Sequence, residues 1–441
     1  MFGSKFTEFN GLVTGTVYGF GVVELKTSPE RVYERIRPVF NPRVNKDLDK
    51  SVLQPSTLPP KHLVRQHGMI KEDEHVIQFD FGSYYDKFPL APDVRALFCF
   101  LYKEQTVALN SLPMGLRTAC EVAQAATEVM CSGTEASVHC DIYIDNVRFV
   151  GPKQALIRSV KSFLHWIKEV GATIDFTPPI HTDLDEAIAG RFEKRGEFLG
   201  ELYDYEAGTR SLSKKSMRKL DMVKEPTTIR QLAAVIGLAL WTADTLDVKC
   251  FTFFELFRRW RRAASEATGK GTEWGLEPLS LSKLEGEQLS QLLTILRKNT
   301  PTSMSAVLPT SAPIIRIVTD ASGWGWGALA WFDDQATPIQ RQWQWSWADS
   351  LKFQKSVMAE PEAVYKACIE LVPNKWTGQV HIYTDHLPIV LAAGKRLIKG
   401  FSLNQLMMRL HSAWPDTHFQ FSHIAGVSNE ADALSRGAHM R

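Results

Sequence analysis

His139-Cys140-Asp141-Ile142-Tyr143-Ile144-Asp145-Asn146-Val147-Arg148 reads as a strand, a tight turn and a second strand, with Asp145 in the turn. Earlier in the chain, the apolar run 76–81 predicts a buried strand that stops at Asp80 and Phe81. Two acids therefore fall where strands end and side chains can converge at an open sheet edge. Carboxylates in that position suit Mg2+, a hard cation that prefers oxygen ligands. Two such ions about 4 Å apart activate a hydroxyl and stabilise a leaving oxygen in in-line phosphoryl transfer. Taken singly, either Asp reads as a turn or cap residue, so the weight lies in what surrounds the pair.

Moving outward, the glycine-rich, β-branched stretch 11–24 predicts strand and turn. Leu112-Pro113-Met114-Gly115 predicts a turn leading into a helix over 120–130, and 156–170 an amphipathic helix closed by Gly171. Strands and helices mix without the regular alternation of a doubly wound sheet, which favours an α+β palm. From 228 to 296 the pattern is mainly helical, with a glycine-rich break at 269–275. Pro301, Pro309 and Pro313 then stand among Ser and Thr, the composition of a linker. The expected organisation is 1–210, a helical 211–300, a linker at 301–313 and a last domain from 314 to 441.

That last domain predicts strands over 314–320, 326–332, 340–347, 380–384 and 418–424, with helices over 360–371 and 403–414. Asp320, Glu360, Asp385 and Asp432 lie at or near element ends in the order Asp, Glu, Asp, Asp. Four acids so placed are what a second two-metal site needs to set an attacking water in line with a phosphodiester. Trp324, Trp326, Trp331, Trp343, Trp345 and Trp347 crowd the first three strands and read as core or sheet-face packing.

Composition sets the outer limits. At 441 residues, 44% hydrophobic and 23% charged, the chain is that of a globular protein of two to four compact units. Its longest apolar runs fall far short of the ~18 residues a membrane helix needs, and the N-terminus carries no leader pattern. Six scattered cysteines show no metal-type spacing and read as buried thiols in a reducing, intracellular compartment. A net charge of +2 is modest for a polyanion binder, but Lys214, Lys215, Arg218 and Lys219 cluster, and Arg258, Arg259, Arg261 and Arg262 surround Trp260. Either cluster reads equally as a phosphate-gripping surface or as a solvated helix face.

The wording around both acid sets carries a resemblance. Asp80-Phe81-Gly82-Ser83-Tyr84-Tyr85, Leu112-Pro113-Met114-Gly115, Tyr143-Ile144-Asp145-Asn146 and Phe198-Leu199-Gly200 resemble, in order and spacing, the palm motifs and primer-grip hairpin of reverse transcriptases. Asp320-Ala321-Ser322-Gly323, Glu360-Pro361-Glu362-Ala363, Ile382-Tyr383-Thr384-Asp385 and Asn429-Glu430-Ala431-Asp432-Ala433-Leu434-Ser435-Arg436 resemble ribonuclease H of the retroelement branch, DIRS-like or long-terminal-repeat elements included. The resemblance covers about residues 30–436. It implies a right-hand polymerase of fingers, palm and thumb or connection, followed by a ribonuclease H-like mixed β-sheet with flanking helices. It also implies an intracellular enzyme that takes an RNA template, a DNA primer, an RNA–DNA hybrid and deoxynucleoside triphosphates, with no membrane. Two Mg2+ or Mn2+ ions would serve each site.

Residue by residue, the resemblance implies that Asp80 and Asp145 hold metal and that Tyr85 is the gate against a ribose 2′-hydroxyl, with Tyr84 as the alternative. Gly115 and Tyr143 would lie at the template and nucleotide, and Arg37 on the triphosphate, with Arg35 as runner-up. Asp320, Glu360, Asp385 and Asp432 would hold the nuclease metals, with Glu362 the alternative to Glu360, and His423 would move a proton near the scissile phosphate. Asn146 stands where the family has a second Asp, so the palm loses one negative charge. A second reading is thus a decayed or domesticated element with a silent polymerase, retaining the nuclease or only nucleic-acid binding. The short stretch before Asp80 implies trimmed fingers or a chain cut from a longer polyprotein.

Overall fold

Strand parity explains the first half of the chain. The computed structural model describes residues 6–27, 32–46, 61–178, 181–267, 275–304, 312–333, 335–395 and 398–437, leaving aside the side chains of 24–27 and 32–38. The chain divides into two compact units, Met1–Arg210 with Ser303–Ser305, and Ser211–Thr302 with Ala306–Arg441.

In the first unit a long hairpin, β1 (Val17–Thr27) and β2 (Val32–Pro42), precedes a three-stranded antiparallel sheet. That sheet is built from β3 (Glu74–Asp80), β4 (His139–Tyr143) and β5 (Asn146–Pro152), with β5 in the centre. Successive side chains point to opposite faces. Ile77, Phe79, Val147 and Phe149 meet Leu156, Val160 and Phe163 of α2 (Lys153–Glu169), while α1 (Ala119–Met130) adds Ala123 and Met130. Val76 and Val150 turn to the opposite layer, where they meet Phe198 and Tyr203 of the hairpin β6 (Arg195–Phe198) and β7 (Glu201–Asp204). Each large side chain so enclosed contributes roughly 1.5–3 kcal/mol.

The same parity sends Arg148 into the second layer, where it is fully buried. Its guanidinium donates to Asp141 Oδ2 at 2.6 and 3.0 Å and to the Val64 carbonyl, and it lies between the rings of Phe198 and Tyr203. Asp141 meets His67 Nδ1 at 2.7 Å through its other oxygen.

The second unit begins with four helices, α3 (Lys214–Asp221), α4 (Ile229–Thr245), α5 (Phe254–Ala267) and α6 (Lys283–Arg297). Ser213, Thr228 and Ser282 cap α3, α4 and α6 by accepting from the N3 amide, and Glu285 completes a capping box on α6. Leu232, Ile236, Leu256, Phe257, Leu292 and Leu296 form the shared core. A five-stranded sheet follows, from β8 (Ile314–Ala321), β9 (Gly325–Phe332), β10 (Ile339–Gln344), β11 (Gln379–Thr384) and β12 (His418–His423). Its order is β10-β9-β8-β11-β12, antiparallel on the β10 side of β8 and parallel on the β11 side. Helix α7 (Ser356–Leu371) lays Ala359, Ala363 and Ala367 in the core with Ile315, Ile317 and Ile382, and α8 (Phe401–Ala413) adds Leu406 and Leu410.

The expected linker falls largely outside the described residues. Segment 211–302 groups with the C-terminal sheet rather than standing alone, because Phe251 is embedded in the sheet's core and its carbonyl accepts from Asn404 of α8 at 2.9 Å. Two element bounds also differ from expectation. Trp347 opens a short helix capped by Ser346 instead of ending a strand, and α7 begins a turn before Glu360. All six cysteines are free thiols, with Cys120 and Cys140 half-buried and the rest buried. No helix among the described residues is long and apolar enough to cross a membrane.

Removing one partner of a fully buried ion pair leaves a charge with no compensation. Asp141→Ala is therefore expected to destabilise the first unit by roughly 3–5 kcal/mol in denaturant unfolding. A loss below about 1 kcal/mol, the range of exposed pairs, would show that Arg148 does not depend on Asp141.

Candidate active sites

The palm acids come together through strand register. Asp80 ends β3 directly opposite Asn146 of β5, and the Phe81 amide donates to the Asp145 carbonyl at 3.0 Å. Tyr143 and Asn146 close the β4–β5 hairpin across Ile144 and Asp145. Ile144 sits at φ 58°, a left-handed conformation that is costly for a β-branched residue. Helix α1 holds it there. Gln124 Oε1 accepts from the Ile144 amide at 2.8 Å, Thr127 donates to the Ile144 carbonyl at 2.7 Å, and the Tyr84 hydroxyl bonds Thr127 at 2.7 Å. On the other side the Asp80 amide donates to Asp175, which Arg191 pairs at 3.0 Å.

Tyr84 is buried, and burial raises its phenol to about 12; its hydroxyl is committed to Thr127. Tyr85 is half-buried, with its hydroxyl 3.4 Å from Cys120 Sγ, and burial and that thiol push its phenol well above the ordinary value. Of the two tyrosines, Tyr85 is the one not locked inside the palm core. The Asn146 amide donates to Asp145 Oδ1 at 3.0 Å and so occupies a lone pair of its neighbour. A Cβ on Gly115 would overlap the Phe40 carbonyl oxygen, so packing within the chain already accounts for that glycine. The Arg35 and Arg37 side chains lie outside the described residues.

In the second unit, Asp320 on β8, Glu360 on α7 and Asp385 just beyond β11 each offer an oxygen within 4.8 Å of the others. Parallel pairing of β8 with β11 sets two of them at one sheet edge, and the alanine face of α7 brings the third down onto it. Asp432 is not part of this trio. Arg436, four residues on, holds its carboxylate at 2.8 to 3.1 Å. Glu362 points elsewhere and pairs with Arg409 at 2.6 Å, which leaves Glu360 as the acid that reaches the cluster. His423 is exposed at the end of β12, with Nε2 3.1 Å from the Asp385 carbonyl.

Asp320 and Glu360 are only 4% and 5% exposed. Burial lifts Asp320 to about 6, with Asp385 and Asp432 adding to the rise against a bond from Ser435. Burial lifts Glu360 further, to about 9, helped by Asp320 and Asp385. Glu360 Oε2 is buried and has no hydrogen-bond partner. A buried oxygen left unmatched beside two more carboxylates is a donor set that fits a hard divalent cation.

Several residues that hold these sites are given no individual role by the sequence, although Asn429 and Ser435 lie within a quoted motif. Gln124 and Thr127 fix the Asp145 turn, Asp175 and Arg191 brace Asp80, and Asn429 and Ser435 bond Asp320. Three of these contacts join residues 95 to 115 positions apart, and the other three span 16 to 20 positions, beyond the reach of a local turn pattern.

No protein-family profile matches the chain. In sequence it is similar to the Retrovirus-related Pol polyprotein from transposon opus of Drosophila melanogaster, 23% identical over 333 residues, 74% of this chain and 30% of that protein. The chain thus spans under a third of that relative's length. In structure it is similar to the foamy viral protease-reverse transcriptase in complex with RNA/DNA hybrid, with a TM-score of 0.51 and 14% identity, over 99% of this chain and 53% of the other. The same kind of protein in complex with dsDNA superposes at 0.48 with 13% identity, over 96% and 79%. The fold is that of a reverse transcriptase polymerase followed by a ribonuclease H-like sheet.

The raised carboxyls have a consequence for stability. The folded chain binds more protons than the unfolded one between each group's ordinary value and its raised one, from 3.8 to about 6 for Asp320 and from 4.5 to about 9 for Glu360. Stability from this site therefore falls as pH rises through that window. Without divalent cation, the melting temperature is expected to drop between about pH 5 and pH 9. Millimolar Mg2+ or Glu360→Gln should make the drop shallower. A drop that neither one alters would contradict the assignment.

Proposed function

We propose that this chain is the reverse transcriptase and ribonuclease H part of a retroelement polyprotein, of the DIRS-like or long-terminal-repeat kind. It copies an RNA template from a DNA primer with deoxynucleoside triphosphates and cleaves the RNA strand of the resulting hybrid. The observation that carries this reading is the convergence of Asp320, Glu360 and Asp385, with the buried Glu360 oxygen unmatched.

Mg2+ or Mn2+, two ions per site, would supply an activated attacking oxygen and a stabilised leaving oxygen. Asp320, Glu360 and Asp385 would hold them at the nuclease site, with Asp432 as the fourth ligand. His423 Nε2, at the exposed rim, takes up or delivers the proton at the scissile phosphate. The hybrid is recognised by its 2′-hydroxyls and groove shape rather than by base sequence. In the palm, Asp80 and Asp145 would hold the ions, Tyr85 bears on the sugar, and Tyr143 lies at the nucleotide and template. Arg37 takes the triphosphate, and Gly115 keeps the chain close beneath the template.

A weakened polymerase is the second reading, favoured by the Asn146 amide bonded to Asp145. A neutral residue that donates to its neighbour lowers the negative charge available to two divalent cations.

Primer extension on an RNA template and cleavage of a labelled hybrid separate these readings. Losing an outer partner of a metal site already costs up to about 100-fold. Asp80→Ala should therefore abolish extension, and Asp385→Asn should abolish cleavage while extension persists. Asn146→Asp should raise extension. Hybrid cleavage with no extension from any version would establish a nuclease with a silent polymerase, and no cleavage by the unaltered chain would overturn the ribonuclease assignment.

A further inference from the structure

The C-terminal turn closes directly over Asp320. Ser435 is fully buried, and its hydroxyl lies 2.5 Å from Asp320 Oδ2 and 2.9 Å from the Asp432 carbonyl. With a single proton to give, it gives it to the carboxylate, where a charge-assisted bond is stronger. The Asn429 amide donates to Asp320 Oδ1 at 3.0 Å and to the Thr319 carbonyl at 3.1 Å. Each carboxylate oxygen thus has one donor, which fixes the plane of the group and leaves its remaining lone pairs for other partners.

This turn is itself locked. The Ser322 hydroxyl donates to the Ser435 carbonyl at 2.6 Å while accepting from the Trp324 and Gly325 amides, and the Trp345 indole donates to the Ser322 carbonyl at 2.9 Å. Any side chain on Gly327 would strike Leu434 and the Ser435 amide, so β9 is built to admit the turn.

We propose that Ser435 and Asn429 are positioning residues that clamp Asp320 in the orientation needed to bind a divalent cation, so that the C-terminal turn completes the site by orienting an acid as well as by carrying Asp432. The proposal rests on the nuclease reading. The clamp acts through Asp320 alone, whereas a merely structural role for Ser435 would act whatever residue stood at 320.

The test is calorimetric titration of Mn2+ into the full chain carrying Asp80→Ala, which suppresses binding in the palm, with Ser435→Ala, Asp320→Asn and the double variant compared. Ser435→Ala is expected to weaken Mn2+ binding about 10- to 100-fold, the usual cost of losing an outer partner of a metal site. In the Asp320→Asn background the same change should make no further difference, since its effect has no other route. Ser435→Thr, which keeps the hydroxyl, should restore binding, and Asn429→Ala provides a second way to open the clamp if Ser435→Ala does not fold. Unchanged affinity in Ser435→Ala, or an equal loss with and without Asp320, overturns the proposal. Hybrid cleavage by the chain with its palm intact is measured alongside. Clamp-dependent Mn2+ binding without cleavage would sink the nuclease reading and leave the clamp standing.

Discussion

Three carboxyl groups within 4.8 Å of one another, two of them almost wholly buried, define the C-terminal half of this protein. Burial and mutual repulsion both oppose ionisation, and Asp320 and Glu360 rise together for that reason. An arrangement that weakens the empty fold needs a role that uses it, and a doubly charged cation reverses both terms at once. The surrounding structure is arranged to keep the acids there. Parallel strands set two of them at one edge, an alanine face lets α7 descend with the third, and the Asn429–Ser435 turn bonds the first.

The palm meets a related problem by different means. Its acids lie at an edge that strand register creates, and the difficulty is conformational. Ile144 is held left-handed by two side chains of α1, and the buried Tyr84 anchors one of them. Behind the sheet, parity forces Arg148 inward, where Asp141 and two aromatic rings enclose it. Packing on the helix face and an ion-paired arginine on the other face together set the strand positions on which Asp80 and Asp145 depend.

Much of this was legible in the residues themselves. Strands ending at Asp80, Asp320 and Asp385, and a hairpin turn at Asp145, follow from apolar runs that stop at acids. The resemblance implied Glu360 ahead of Glu362, and the pairing of Glu362 with Arg409 gives that order a physical reason. The helix expected over 360–371 begins a turn earlier, at Ser356, and carries Pro361 in its second turn. The helix at Trp347 replaces the end of the strand expected over 340–347, and Ser346-Trp347-Ala348-Asp349 carries its capping signal, with Ser346 accepting from the Asp349 amide. The clamp on Asp320 and the brace on Ile144 could not be read, because each depends on a fold already formed.

The central claim is that Asp320, Glu360 and Asp385 form one cation site, and the most direct measurement is the anomalous diffraction of Mn2+ soaked into crystals of the chain. The account predicts a peak within bonding distance of oxygens from all three residues, and its loss in Asp385→Asn. Peaks confined to other acids, with the trio unmoved and without metal, would contradict it.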